Sequence, residues 1–210
     1  MDWRTIHEFW FPAELARGEL AFHMKMGDWW MRGGATPELP PFAHYVAAAA
    51  AGDLDHWKES AAGRLCLIVV LDQFPRGLFA GTPGAYAHDG QALRLCEEGF
   101  ANGQAYELEG PFEQFFFTMP MVHAEGPGHL DRLRRLLKLH QDAMPAMVQR
   151  FPELEPIFRF AAEQVASNID VIERFGRFPH RNDILGRTST DQERAYIDAG
   201  EFVHLRRPNA

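Results

Sequence analysis

The stretch from Ala61 to Phe74, AAGRLCLIVVLDQF, constrains the fold more than any other part of the chain. Ile68, Val69 and Val70 give it the look of a buried strand, but fourteen residues with no internal breaker beyond Gly63 exceed a typical strand. A helix that is apolar on nearly every side has to be surrounded by other elements. The sequence supplies them at helical spacing: Trp3, Ile6, Phe9 and Trp10 share one face of a helix over Asp2 to Trp10, which Pro12 closes.

The pattern continues along the chain. Glu14 to Trp30 has helical propensity, Gly33-Gly34, Pro37, Pro40 and Pro41 mark a loop, and Phe42 to Ala51 reads as an Ala-rich helix. Pro83 to Gly103 reads as another helix, and Pro111 to Thr118 as a short aromatic one. Leu130 to Phe151 and Pro156 to Phe175 are long amphipathic helices separated by Pro152, the first kinked at Pro145, and they are expected to pack as neighbours. Thr188-Ser189-Thr190 precedes a last helix, Asp191 to Ala199, whose first turn a hydroxyl can cap. No stretch alternates with period two for long enough to build a sheet, so the expected class is all-α. The expected organisation is a single-domain helical array over residues 1–202, followed by a flexible C-terminal tail over 203–210.

Composition narrows the function classes. With 46% hydrophobic and 24% charged residues, the chain is ordinary for a globular protein, and 210 residues suit one domain. A net charge of −8 without a Lys/Arg stripe repels polyanions, so nucleic acid is not an expected partner. The longest apolar run, Leu65 to Leu71, is far shorter than the roughly 20 residues a bilayer requires, so no membrane span is expected. The opening Met1 to Glu8 has no secretory pattern, so a cytoplasmic location is expected. Cys66 and Cys96 sit in apolar helical patterns without metal or redox spacing and read as buried thiols.

Three segments concentrate polar residues. Asp72-Gln73-Phe74-Pro75-Arg76 and Gly176-Arg177-Phe178-Pro179-His180-Arg181-Asn182 each end an apolar helix with Phe-Pro and then a cation. A cation at a helix end is favoured by the exposed carbonyls there, yet the donor density of Arg177, His180, Arg181 and Asn182 also suits an anion. Asp72 and Arg76, four apart, have the spacing of a helical ion pair; alternatively Asp72 orients an arginine or imidazole from another segment. In the third segment, helix breakers on both sides of His123 and Glu125 are expected to hold them in a non-helical link. In extended backbone, residues two apart face one way, so the two side chains would form an acid–base pair. The other histidines lack metal-type spacing, and no metalloprotease, phosphate-loop or serine-hydrolase motif occurs; no metal site is expected on these grounds, and the cofactor is unknown.

The strings LDQFPR at 71–76, His123-x-Glu125, FGRFPHRN at 175–182 and LGRTST at 185–190 together resemble the bacterial domain-of-unknown-function family nine-two-four. The resemblance runs from the FWF at 9–11 to the last helix. It implies an all-helical fold similar to the tetratricopeptide-repeat superfamily and implies no activity. It marks Asp72, Gln73, Arg76, His123, Glu125, Arg177, His180, Arg181 and Asn182. Three positions depart from the family pattern: Gly77 where Asn is usual, Ala124 where Ser is, and Asn168 where His is.

Three functional readings stay open. In the first, a small anionic ligand or peptide binds through Asp72, Arg76, Arg177, Arg181 and Asn182. In the second, the protein is a hydrolase of a small anionic substrate such as a phosphate ester, with His123, Glu125 and His180 as its acid–base residues. In the third, the polar motif is a buried network that fixes how helix ends meet.

Overall fold

A computed structural model describes residues 1–200 and 202–206. Among the described residues every regular element is helical. The helices are α1 (Trp3–Trp10), α2 (Leu20–Met31), α3 (Ala43–Ala51), α4 (Ala61–Asp72), α5 (Phe74–Leu78), α6 (Asp89–Ala101), α7 (Pro111–His123), α8 (His129–Arg150), α9 (Glu155–Phe175) and α10 (Asp191–Ala199), joined by loops and short 3-10 turns. The chain divides into two compact units, Met1–Ala124 with α1 to α7 and Glu125–Ala210 with α8 to α10.

In the first unit α4 is the central helix. Leu65, Cys66, Ile68, Val69 and Val70 are completely buried, and α1, α3, α6 and α7 pack around it. Ser60 starts it by accepting a hydrogen bond from the Gly63 amide at 3.1 Å. An aromatic layer lies beside it: Trp10 meets Phe74 and Phe116 at ring-centroid separations of 5.5 Å. Each such ring contributes a large apolar area, and the edge-to-face geometry of Trp10 on Phe116 adds to that burial. Both cysteines are buried and unbridged, and burial pushes the Cys66 thiol up.

Several boundaries differ from the sequence reading. Helix α4 stops at Asp72, and Phe74–Leu78 forms its own short helix with Pro75 in its first turn, where a missing N–H costs nothing. Residues 83–86 form a 3-10 turn and α6 begins only at Asp89. Helix α7 is longer than expected. It runs through Pro120 to His123, because the hydrogen bond that Pro120 cannot make is offset by burying Phe116, Phe117 and Met121 in the unit's core. Gly77 also has a local reason: a Cβ there would overlap Leu39 Cδ1 and approach Thr36 Oγ1 to 3.2 Å, so glycine lets the 36–39 segment close over α5.

In the second unit α8 and α9 pack against each other as expected, with Arg134 on α8 paired to Glu173 on α9 at 2.5 Å. Helix α8 is continuous through Pro145. Thr190 caps α10 in a reciprocal box with Glu193. The tail expected over 203–210 begins as structure instead: Val203–Leu205 form a 3-10 turn against α9, and Val203 is buried because it has apolar surface to cover there. Residues 207–210 lie outside the described residues.

Candidate functional site

The first unit gathers its polar residues at the C-terminal end of α4. Asp72 is the last residue of that core helix and is completely buried. His123, the last residue of α7, is brought to it by the packing of α7 on α4, and its Nδ1 lies 2.8 Å from Asp72 Oδ2 and 3.0 Å from Oδ1. Gln73 Nε2 donates to the same carboxylate. Arg76, on α5, donates from Nη1 to the Asp72 backbone carbonyl and lies 3.5 Å from Asp72 Oδ1. Its other terminal nitrogen, Nη2, is 2.8 Å from Oδ1 of Asp89 at the start of α6. The Tyr86 ring lies 5.7 Å from the guanidinium carbon.

Protonation states follow from this geometry. Burial works against the Asp72 carboxylate, but the Arg76 charge and the hydrogen bonds from His123 and Gln73 outweigh it and hold its pKa below the usual range. An ionised carboxylate only accepts, so the proton in the shared contact sits on His123 Nδ1. Burial and the nearby Arg76 charge push the His123 pKa down, against the opposing pull of Asp72. A neutral imidazole protonated at Nδ1 carries its lone pair on Nε2, the arrangement a general base requires. The His123 side chain is 16% exposed and that of Arg76 21%, so both reach the edge of a cluster whose anchor is sealed.

The second unit holds its polar residues differently. Glu125 accepts from the Phe178 amide at 2.6 Å and from Arg187 Nη1 at 2.5 Å. These bonds, with the charges of Arg181 and Arg187, hold its carboxyl below the usual range despite burial. Arg177 forks onto Glu193 at 2.7 and 2.9 Å and also donates to the Thr188 carbonyl. Hydrogen bonds from Arg177 are the main reason the Glu193 pKa falls to about 2. Asn182 Nδ2 donates to Ser189 Oγ at 2.9 Å. Arg181 is buried with its guanidinium carbon 4.7 Å from the Phe178 ring centroid, and the His180 ring lies 4.6 Å from that of His204.

The structure therefore brings Asp72, Gln73, Arg76 and His123 into one cluster, and Glu125, Arg177, His180, Arg181 and Asn182 into the second unit. Asp72 makes the contacts that both readings call for, one with Arg76 and one with an imidazole from another segment. The extended link expected around His123 is corrected, because His123 is still helical and the alternation of extended backbone does not apply to it. Its carboxylate partner is Asp72, and that of Arg187 is Glu125. Asp89, Arg187, Glu193 and Ser189 were not picked out by sequence. Arg187 and Ser189 lie in the quoted LGRTST string, whereas Asp89 opens a helix and nothing local marks it.

Among the described residues no group of three or more His, Cys, Asp or Glu is arranged to hold a metal ion, and no helix is long and apolar enough to cross a membrane. The family model described as "Bacterial protein of unknown function (DUF924)" matches residues 6–201. The chain is also similar to the solved structure of a protein of unknown function, ATU0120, from Agrobacterium tumefaciens. That likeness has 31% identity and a TM-score of 0.66, and covers 94% of this chain and 97% of that one. No curated protein matches.

Proposed function

Because the chain belongs to the bacterial family of unknown function DUF924, whose description carries no activity, we propose a function from the residues themselves: a general acid–base site centred on His123 and acting in hydrolysis. Asp72 fixes the imidazole tautomer, and burial together with the Arg76 charge favours the neutral imidazole. The observation that carries this reading is the fully buried Asp72 carboxylate receiving His123 Nδ1 at 2.8 Å. A buried carboxylate behind a partly exposed imidazole is how a protein orients a proton-transferring histidine. Glu125 and Arg177 serve instead as structural ties within the second unit, since each is engaged by a partner of opposite charge.

The test is hydrolysis of p-nitrophenyl phosphate and p-nitrophenyl acetate by the wild-type chain, His123→Asn and Asp72→Asn. The expected loss in His123→Asn is about 100-fold or more, the usual contribution of a positioned acid–base group. Wild-type turnover no faster than that of His123→Asn would count against the hydrolase reading and favour a polar network that serves only packing.

A second reading is a binding module for a small anion or peptide through Arg181 of the second unit. Its support is Arg181, a buried guanidinium beside an aromatic ring, a setting in which arginine recognises planar anions. Calorimetric titration with inorganic phosphate tests it: binding lost in Arg181→Ala supports it, and wild type without measurable heat counts against it. Under either reading the α8–α9 hairpin fits the helix-pair unit of tetratricopeptide-like folds.

A further inference from the structure

Asp89 is a carboxylate in an unusual place. It is only 6% exposed, stands at the first position of α6, and presents Oδ1 to Arg76 Nη2 at 2.8 Å. Helix starts favour acidic residues through the macrodipole, but that preference alone is satisfied by an exposed side chain. Burying the carboxylate costs several kcal/mol of hydration, by an order-of-magnitude estimate, unless a cation meets it. Here the cation is the same guanidinium whose other terminal nitrogen donates to the Asp72 backbone carbonyl and lies 3.5 Å from the Asp72 carboxylate. The order of contacts is Asp89, Arg76, Asp72, His123, and it ties the end of α4, the short α5, the start of α6 and the end of α7 to one another.

A guanidinium is planar, and engaging one terminal nitrogen sets the direction of the other. Without Asp89, Arg76 would lose its second carboxylate, and its charge would be less neutralised beside the imidazole. From this geometry we infer that Asp89 is a positioning residue: it orients the Arg76 guanidinium against Asp72 and thereby sets the charge that His123 meets. The inference rests on the acid–base reading of His123 and adds a fourth member to that cluster. Among the charged groups that act on the imidazole are Asp72, Arg76 and Asp89. The first and last favour its protonation and Arg76 opposes it, so removing Asp89 moves His123 in a defined direction.

The experiment is an NMR titration of the His123 imidazole in the full chain for wild type, Asp89→Asn and Asp89→Glu, with thermal unfolding recorded in parallel. Asp89→Asn keeps shape and removes charge, and the His123 midpoint is expected to fall by about half a pH unit. Asp89→Glu, which keeps the charge, is expected to return it at least half way. A purely structural Asp89 lowers the melting temperature without moving the midpoint, and that result overturns the inference. Asp89→Ser, which admits water beside the guanidinium, replaces Asp89→Asn should the latter not fold. Failure of both to fold makes Asp89 a folding requirement and also overturns the inference. The acid–base reading has its own separate failure, a wild type no more active than His123→Asn, so the two outcomes are distinguishable.

Discussion

The two polar clusters are built from similar residues and arranged to opposite ends. In the second unit the two carboxylates of the cluster are hydrogen-bonded by different cations: Glu193 takes both prongs of Arg177, and Glu125 takes Arg187 together with a backbone amide. In the first unit one guanidinium is shared by Asp72 and Asp89, and the Asp72 carboxylate is shared again with an imidazole. Matched pairs hold helix ends and loops in place. A shared chain of charges leaves a titratable member whose state depends on all the others. The comparison teaches that the density of Arg and His in a sequence segment says little about chemistry until the partner of each is known.

The largest effect expected from breaking this contrast is in the first unit. Asp72→Ala removes a fully buried carboxylate and leaves the His123 Nδ1–H and the Gln73 amide without their acceptor, so urea unfolding is expected to show a loss of about 3–5 kcal/mol. Glu125→Ala removes one ion pair and the acceptor for the Phe178 amide, and about 2 kcal/mol is expected. Equal losses at the two positions would erase the distinction drawn between shared and matched charges.

Acid separates the clusters by pH. His123 is depressed from 6.5 and so is His140 on α8, by burial. For both, the unfolded chain binds protons first as pH falls, so stability is full above about 6.5 and declines below it. Glu193, Glu125 and Asp72 are depressed carboxylates, and the stability they contribute is present above their ordinary values of 4.5, 4.5 and 3.8 and lost as pH falls towards about 2, the value for Glu193. In a His140→Gln background, the decline between pH 6.5 and 4.5 in urea-derived stability is expected to shrink further on His123→Gln, while the decline below 4.5 persists. The smallest effect belongs to the α8–α9 surface: Arg134 and Glu173 are both about half exposed, and Arg134→Ala is expected to change unfolding free energy by no more than about 1 kcal/mol.

Much of this fold was legible because its strongest signals are apolar. The uninterrupted run in α4, the aromatic face of α1 and the amphipathic period of α8 and α9 each report burial, and burial decides class. Boundaries at proline were not legible. Pro75 opens a helix and Pro120 lies inside one, and the difference is set by what the following residues bury, a property of the packed unit. The candidate site divides along the same line. Asp72 and Arg76 are four apart and could be paired on paper, and His123 stood out as a histidine between helix breakers. That His123 meets Asp72, fifty-one positions away, follows from α7 packing on α4, which local spacing does not encode. Asp89 lies in a stretch that reads as ordinary helix, and only its burial against Arg76 distinguishes it.

The measurement that bears most directly on the central claim is the tautomer of His123, read from the two imidazole 15N shifts of the wild-type chain at pH 7. The account predicts a neutral ring protonated at Nδ1 and titrating below 6.5, held so by Asp72. A ring protonated only at Nε2, or a fully charged imidazolium at that pH, would contradict it.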